Sequence, residues 1–310
     1  MKHIYGHNYS PIQWSILECL TYFKIFEHPL SIQEIERLCN ISGGESISHL
    51  NILVEDEKVF CHQHYYTTAS NATELYEMRM AKEEEAKKYF IKLKKYGVIL
   101  AAFPYVRGIA VSGSLSKGVM NPGGDIDYFI ITKSGRLWMC RTMMVLFKKA
   151  FLLNSKKYFC VNYFVDEKNL QIRDKNIFTA TEFVHLIPLY SHKGILDKFR
   201  FQNRWINKFY SMMPEWRTEF MIQESYLIKE MFELVLRFSV FDKLETYCHK
   251  LTLKYWRKKF GHFREEKFEL TMRSTKGISK HHPSDFQTKV LTTFNKEMNK
   301  LILHNTQSMV

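Results

Sequence analysis

Two aspartates one residue apart, Asp125 and Asp127, stand at the front of the apolar run DIDYFIIT, inside the stretch GIAVSGSLSKGVMNPGGDIDYFIIT of residues 108–132. Alternate residues of an extended chain share a face, so the two carboxylates lie side by side, about 6 to 7 Å apart. Without a counter-ion they would repel each other and each would resist desolvation. A divalent cation that favours hard oxygen ligands, Mg2+ above all, relieves both problems. A turn at NPGGD accounts for Asp125, since aspartate is a turn residue, but not for Asp127, which falls where a strand disfavours it.

Separated from Asp125 by ten residues, Gly113 and Ser114 end the preceding apolar run. Glycine permits a sharp turn there, and Ser114 is placed to begin a helix whose free N–H groups and positive dipole end face an anion. The Ser114 hydroxyl adds a donor, and Lys117, one turn on, adds a positive charge for a phosphate oxygen. The spacing therefore pairs a phosphate cradle at Gly113, Ser114 and Lys117 with a metal seat at Asp125 and Asp127.

This run, Gly113-Ser114, Lys117-Gly118, then Asp125-Ile126-Asp127 before apolar residues, resembles the h-G-S-x(n)-D-h-D-h signature of the DNA polymerase β-like nucleotidyltransferase superfamily. The resemblance is tight over about 25 residues, and strand-helix-strand order carries it over about 110. It implies a sheet bearing two metal-bound acids, an NTP held by its phosphates, and in-line attack on the α-phosphate with two Mg2+ ions about 4 Å apart. It also implies a third carboxylate on a later strand. The strand that fits is YFCVNYFVDE, and its central position holds Asn162. An amide oxygen can ligate Mg2+, so Asn162 joins the metal set, but it cannot act as a base. Asp166, four residues on, lies about 13 Å further along the strand. Glu182 has capping-box spacing from Thr179, and Asp174 reads as a loop residue. Two functions follow: a transferase moving a nucleoside monophosphate from an NTP to an unidentified acceptor (nucleic acid, small molecule or protein), or a nucleotide-binding regulatory protein with the same core and little turnover.

The elements around these residues suggest an α+β chain in three parts. Residues 1–73 give three helices and a hairpin. Apolar residues Ile12, Ile16, Leu20 and Phe23 repeat at helical spacing; Ser31/Glu34 and Ser42/Glu45 have capping-box spacing; and the third helix should bury Ile47, Leu50, Leu53 and Val54. KVFCHQHYYTTA then alternates as a wing, an order that resembles a winged helix-turn-helix domain. Its third helix would present Glu45 and Glu55, followed by Asp56 and Glu57, which argues against sequence-specific DNA binding and for packing against protein. Residues 74–200 hold a charge-laced spacer helix and the mixed α/β nucleotidyltransferase core, in which helices dominate from about residue 179. Residues 201–310 read as a basic, aromatic-rich helical region, with RSTKGISKHHPSD as a loop near its end.

The totals agree with these parts. The 310 residues carry a formal charge of +13, yet the first 75 hold four Lys or Arg against nine Asp or Glu, leaving 41 basic against 23 acidic residues downstream. An anionic partner should therefore meet the later part. The six cysteines form no C-x-x-C pair and read as free thiols, and CHQH makes a poor zinc set. No apolar run reaches the roughly 18 to 20 residues of a membrane span, and MKHIYGHNYS lacks an apolar signal core, so a cytoplasmic protein with no membrane partner is expected.

Overall fold

Serine caps start the chain's first two helices. Ser10 and Gln13 form a reciprocal capping box at the head of α1 (Pro11–Lys24), and Ser31, at the end of the two-residue strand β1 (Leu30–Ser31), does the same with Glu34 for α2 (Ile32–Cys39). The computed structural model describes residues 9–210, 212–222, 227–236, 238 and 240–307. At α3 (Gly43–Glu55) the expected capping box does not form; the Ser42 hydroxyl donates instead to the Glu45 carboxylate at 3.2 Å. This helix buries Ser46, Leu50 and Leu53, while Ile47 is 49% and Val54 36% exposed. The inward stripe is thus narrower than the apolar positions suggested. Strands β2 (Phe60–His62) and β3 (Tyr65–Thr67) pair antiparallel, and β1 adds to β3, giving a small three-stranded sheet.

The long helix α4 (Ala72–Ala101) is more than a spacer. Ala86, Tyr89, Leu93 and Leu100 are buried against the central core, and Arg79 binds both carboxylate oxygens of Glu34, at 2.7 and 2.9 Å. From its middle, α4 supports the loop that carries Asp125: Met120 N–H donates to Lys82 O at 2.9 Å, and Tyr89 Oη donates to Gly124 O at 3.0 Å.

The central unit follows as β4 (Val106–Ser112), the single turn α5 (Gly113–Ser116), β5 (Asp127–Thr132), α6 (Leu137–Phe151), β6 (Cys160–Asp166), α7 (Ile177–Val184) and β7 (Ile187–Ser191). Strands β5 and β6 are parallel, joined across α6, and every other pair in the sheet is antiparallel. After α8 (Ile195–Gln202), α9 (Leu227–Val235), α10 (Val240–Lys259) and α11 (Glu265–Thr271) comes a hairpin, β8 (Ser274–Thr275) and β9 (Ile278–Lys280), then α12 (Phe286–Gln307).

The sheet order is β7-β4-β5-β6-β9-β8, a mixed sheet in an α+β fold. Two of its parts fall outside the sequence expectation. Strand β7 flanks β4 within a stretch expected to be helical, and the expected loop near residue 277 is the hairpin that closes the β6 edge. The C-terminal region is therefore not helical throughout. Gly277 at the hairpin's tip lets two side chains approach closely: a Cβ there would lie 2.2 Å from Asn169 Nδ2 and 2.8 Å from Asp166 Oδ2, so both would have to shift.

Helix α10 packs on α6, and Glu245 caps α6 from outside, its carboxylate accepting from Trp138 N–H and Met139 N–H at 2.8 Å each. Of the C-terminal aromatics, Trp256 is buried while Tyr247 and Tyr255 face outward beside Lys250 and Lys254. Arg257 pairs with Glu265. Helix α12 returns to the first helix through the Lys24–Glu297 pair at 2.9 Å and the Tyr22–Phe294 rings at 5.7 Å.

Candidate active site

Strand pairing brings the two halves of the GS…DxD stretch together. Ser112, last in β4, lies directly opposite Asp127, first in β5, and Asp127 lies opposite Cys160 at the start of β6. Gly113 turns the chain at φ +71°, and a Cβ there would meet Asp127 Oδ2 at 2.7 Å. Glycine is needed twice over, for the left-handed backbone and for the close approach. Asp125 sits just before β5, partly exposed, so only the second aspartate lies within the strand.

Asp127 is the most perturbed acid of the group. Burial pushes its carboxyl up to about 6, and the charges of Asp125 and Glu182 add to this, while hydrogen bonds from the Cys160 thiol and the Asn162 amide oppose it. The Asn162 Nδ2 donates to Asp127 Oδ1 at 2.9 Å and lies 3.0 Å from Cys160 Sγ. Burial, with the Asp127 charge beside it, raises the Cys160 thiol to about 12, so the thiol stays protonated and available to donate. Neither aspartate has an ion pair among the described residues, and no three His, Cys, Asp or Glu side chains there converge as a metal cluster.

Asn162 reaches Asp127 because β6 bulges at that residue. Tyr128 pairs with Val161 and Phe129 with Tyr163, which leaves Asn162 without a partner in β5; its carbonyl accepts instead from His281 N–H at 3.0 Å. Asp166, at the far end of β6, is taken up by a turn, its carboxylate accepting from Lys168 N–H at 3.0 Å and from Asn169 Nδ2 at 2.7 Å.

On the phosphate side the expected helix shrinks to the one turn of α5. Ser114 is exposed at the cavity wall, and Lys117 Nζ donates to Gly113 O at 3.1 Å. Lys117 also meets a residue that spacing alone assigned elsewhere. Asn176, not Thr179, caps α7, its Oδ1 accepting from Thr179 N–H at 3.0 Å. Glu182 is thereby free to point into the site, where it accepts from Lys117 Nζ at 2.8 Å and from Gly113 N–H at 3.4 Å. The signal for it was a single carboxylate within the apolar helix TATEFV.

Gly113, Ser114, Lys117, Asp127, Asn162 and Glu182 line one cavity of about 560 Å3, within the range of small-molecule sites, while Asp125 lies outside its lining. Phe23 at the end of α1 and Phe26 and His28 in the turn after it contribute, α4 supplies Lys82, and the buried Phe129, Phe183 and Phe199 back the cavity. Burial holds His28 well below the usual histidine range, with the Arg79, Lys117 and Lys82 charges adding to it. Asp174, read as a loop residue, lines this cavity too. It holds Arg273 at 2.9 Å and Lys280 at 2.9 Å, both delivered by the C-terminal hairpin. Burial would raise the Asp174 carboxyl, but the hydrogen bonds and charges of Arg273 and Lys280 bring it below the ordinary carboxylate value. His282 also lines the cavity and is kept neutral, burial and the Lys280 charge lowering it to about 4.

Against known proteins, residues 93–247 match the family model described as a nucleotidyltransferase domain, which is half of the chain. The chain belongs to the nucleotidyltransferase domain family. The match begins in the second half of α4 and ends within α10, so the nucleotidyltransferase domain as matched stops short of the β8–β9 hairpin. No curated protein and no solved structure matches this nucleotidyltransferase. No helix among its described residues is long and apolar enough to cross a membrane.

Proposed function

We propose that this nucleotidyltransferase moves a nucleoside monophosphate from an NTP to an acceptor in an Mg2+-dependent reaction centred on Asp125 and Asp127. One observation carries the reading: Asp127 is a half-buried carboxylate, raised by desolvation, with a second acid two residues away and no ion pair among the described residues. A partly desolvated carboxylate held only by the Asn162 amide and the Cys160 thiol is unfavourable as the anion in the ligand-free protein and becomes favourable once a cation joins it. The donor set fits a hard divalent ion, with two carboxylates and the Asn162 amide beside them; Asn162 would turn its oxygen inward to ligate. When bound, Mg2+ supplies charge neutralisation and Lewis-acid activation at a phosphoryl group.

The chain's own residues account for the remaining tasks. Gly113 N–H, the Ser114 hydroxyl and the Lys117 ammonium bind phosphate oxygens, with Lys117 as the fixed positive charge. Phe26, Phe178 and Phe286 line the cavity with ring surface left accessible, against which a base can stack, and the segment after α1 restricts water at the cavity. The N-terminal unit, with its three helices and small sheet, is proposed as a winged-helix-like domain whose task here is to wall the cavity. Its acidic balance does not suit a phosphate backbone.

The test is incubation of the protein with each labelled NTP and Mg2+, reading pyrophosphate release and transfer of label to an added acceptor panel of nucleic acid, small molecules and protein. Release that is lost in Asp127→Ala supports the reading. A second reading rests on Asn162, which donates to Asp127 where the superfamily carries a third acid: the domain would bind nucleotide as a regulator without turnover. NTP binding without pyrophosphate release across the acceptor panel would favour it.

A further inference from the structure

Glu182 stands where the preceding reading puts a phosphate. Its carboxylate accepts from the two donors that the Gly113–Lys117 turn offers an anion, Gly113 N–H at 3.4 Å and Lys117 Nζ at 2.8 Å. Helix α7 does not require it there, since Asn176 already caps that helix. The side chain is 26% exposed and that of Lys117 12%, so the pair lies at the cavity wall, partly shielded from solvent. The arrangement also places a third acid where its negative charge bears on Asp127. Lys117 outweighs that repulsion and holds the carboxylate in the cradle.

We propose that Glu182 is a built-in occupant of the phosphate cradle, an internal anion that the substrate's phosphates must displace, and that it sets how much anionic charge a ligand needs to enter. The proposal rests on the phosphate-cradle reading above. Entry of a phosphate exchanges one anion for another at Lys117, so a single phosphate gains little over the resident carboxylate. A triphosphate gains more, because its chain reaches both the Lys117 side and the cation seat at Asp125 and Asp127. The displaced carboxylate returns toward solvent, where rehydration offsets the lost ion pair. Glu182 thus discriminates against inorganic phosphate and monophosphates without touching the base.

The experiment uses the full chain, with Mg2+-tripolyphosphate and inorganic phosphate as base-independent probes measured by calorimetry. Glu182→Gln is nearly isosteric and keeps an acceptor for Gly113 N–H while losing its charge. It should bind tripolyphosphate about tenfold tighter than the wild type, equivalent to about 1.4 kcal/mol, and should bring inorganic phosphate binding into the millimolar range. In a Lys117→Ala background the same substitution should gain less than about threefold, because without Lys117 the carboxylate is no longer held in the cradle. Unchanged or weaker binding by Glu182→Gln in the Lys117 protein overturns the proposal. So does an equal gain in both backgrounds, which would mean plain charge repulsion. Thermal melts establish that each variant is folded. If Glu182→Gln melts early, Glu182→Asp replaces it: its shorter side chain withdraws from Lys117, so tighter tripolyphosphate binding is expected and no change overturns. If neither wild type nor variant binds tripolyphosphate or any of the four NTPs with Mg2+, the cradle itself is wrong, and the proposal goes with it.

Discussion

Replacing Asp127 by asparagine should make the metal-free protein more stable at neutral pH. The Asp127 carboxyl is raised from 3.8 to about 6, chiefly by burial. A group that holds its proton more tightly in the folded state lowers stability as pH climbs through the interval between its two values. Here stability falls between roughly pH 4 and 6, and above pH 6 the full deficit, about 3 kcal/mol, persists. Asparagine removes the charge, keeps the volume and can still accept from the Asn162 amide; losing the Cys160 contact to a carboxylate returns about 1 kcal/mol of that gain. The expected net is about 2 kcal/mol in favour of Asp127→Asn at pH 7.5, shrinking to nothing or reversing near pH 4. Urea denaturation with EDTA at pH 4, 5, 6 and 7.5 would measure it, together with melts in which the variant gains roughly 4 to 8 °C at neutral pH. Millimolar Mg2+ should then raise the wild type and leave the variant where it was. Lower stability of the variant at pH 7.5, or a difference that does not change with pH, would refute the argument that this carboxylate is ionised at an energetic cost.

Other substitutions test the remaining parts of the site. Alanine at Asp125 or Asp127 should abolish pyrophosphate release and Mn2+ binding followed by paramagnetic resonance; turnover in the double variant would refute the metal seat. Gly113→Ala forces a side chain into a left-handed backbone 2.7 Å from Asp127 Oδ2 and should cost about 1 to 3 kcal/mol in denaturant along with most nucleotide affinity. Asn162→Asp puts a further carboxylate where the Asn162 amide now donates to Asp127 at 2.9 Å, so its melting temperature should drop without metal and rise more steeply than the wild type's with Mg2+. A response to Mg2+ no larger than the wild type's counts against Asn162 as a ligand position. Asp174→Ala strands the Arg273 and Lys280 charges and should destabilise the fold by about 3 to 5 kcal/mol, as denaturant titration would show.

The sequence showed the site where its geometry is local. Gly113 and Asp127 could be read from type and spacing because adjacent antiparallel strands must bring a strand end and the next strand's start together. Lys117 could be placed near them because one helical turn fixes its reach. Glu182 was missed because Thr179 and Glu182 share the spacing of a capping box, while the real cap, Asn176, lies three residues earlier. Which of two local patterns wins depends on the Lys117 ammonium, some 65 residues away in sequence. Strand β7 was hidden by its single edge pairing and by Pro188, and β8 and β9, at two and three residues, are too short to show alternation. Asp174 could not be distinguished from a loop residue until the hairpin brought two cations to it. In α3, the apolar residues outnumber the positions that face inward, so composition overstated the buried stripe.

The hairpin that closes the sheet also sets an order of events during synthesis. Strand β6, which carries Cys160 and Asn162, keeps one edge unpaired until residues 278–280 have been made and have left the ribosome. At the usual pace of translation that interval is on the order of ten seconds. Throughout it the nascent chain holds the GS turn and both aspartates but lacks Arg273, Lys280 and the partner for Tyr163, Phe164 and Val165. An apolar strand with a bare edge is a template for mispairing, so the vulnerable period of this protein begins once β6 is made and outlasts completion of the matched domain. The completed cavity and protection from aggregation then arrive together, with the same few residues.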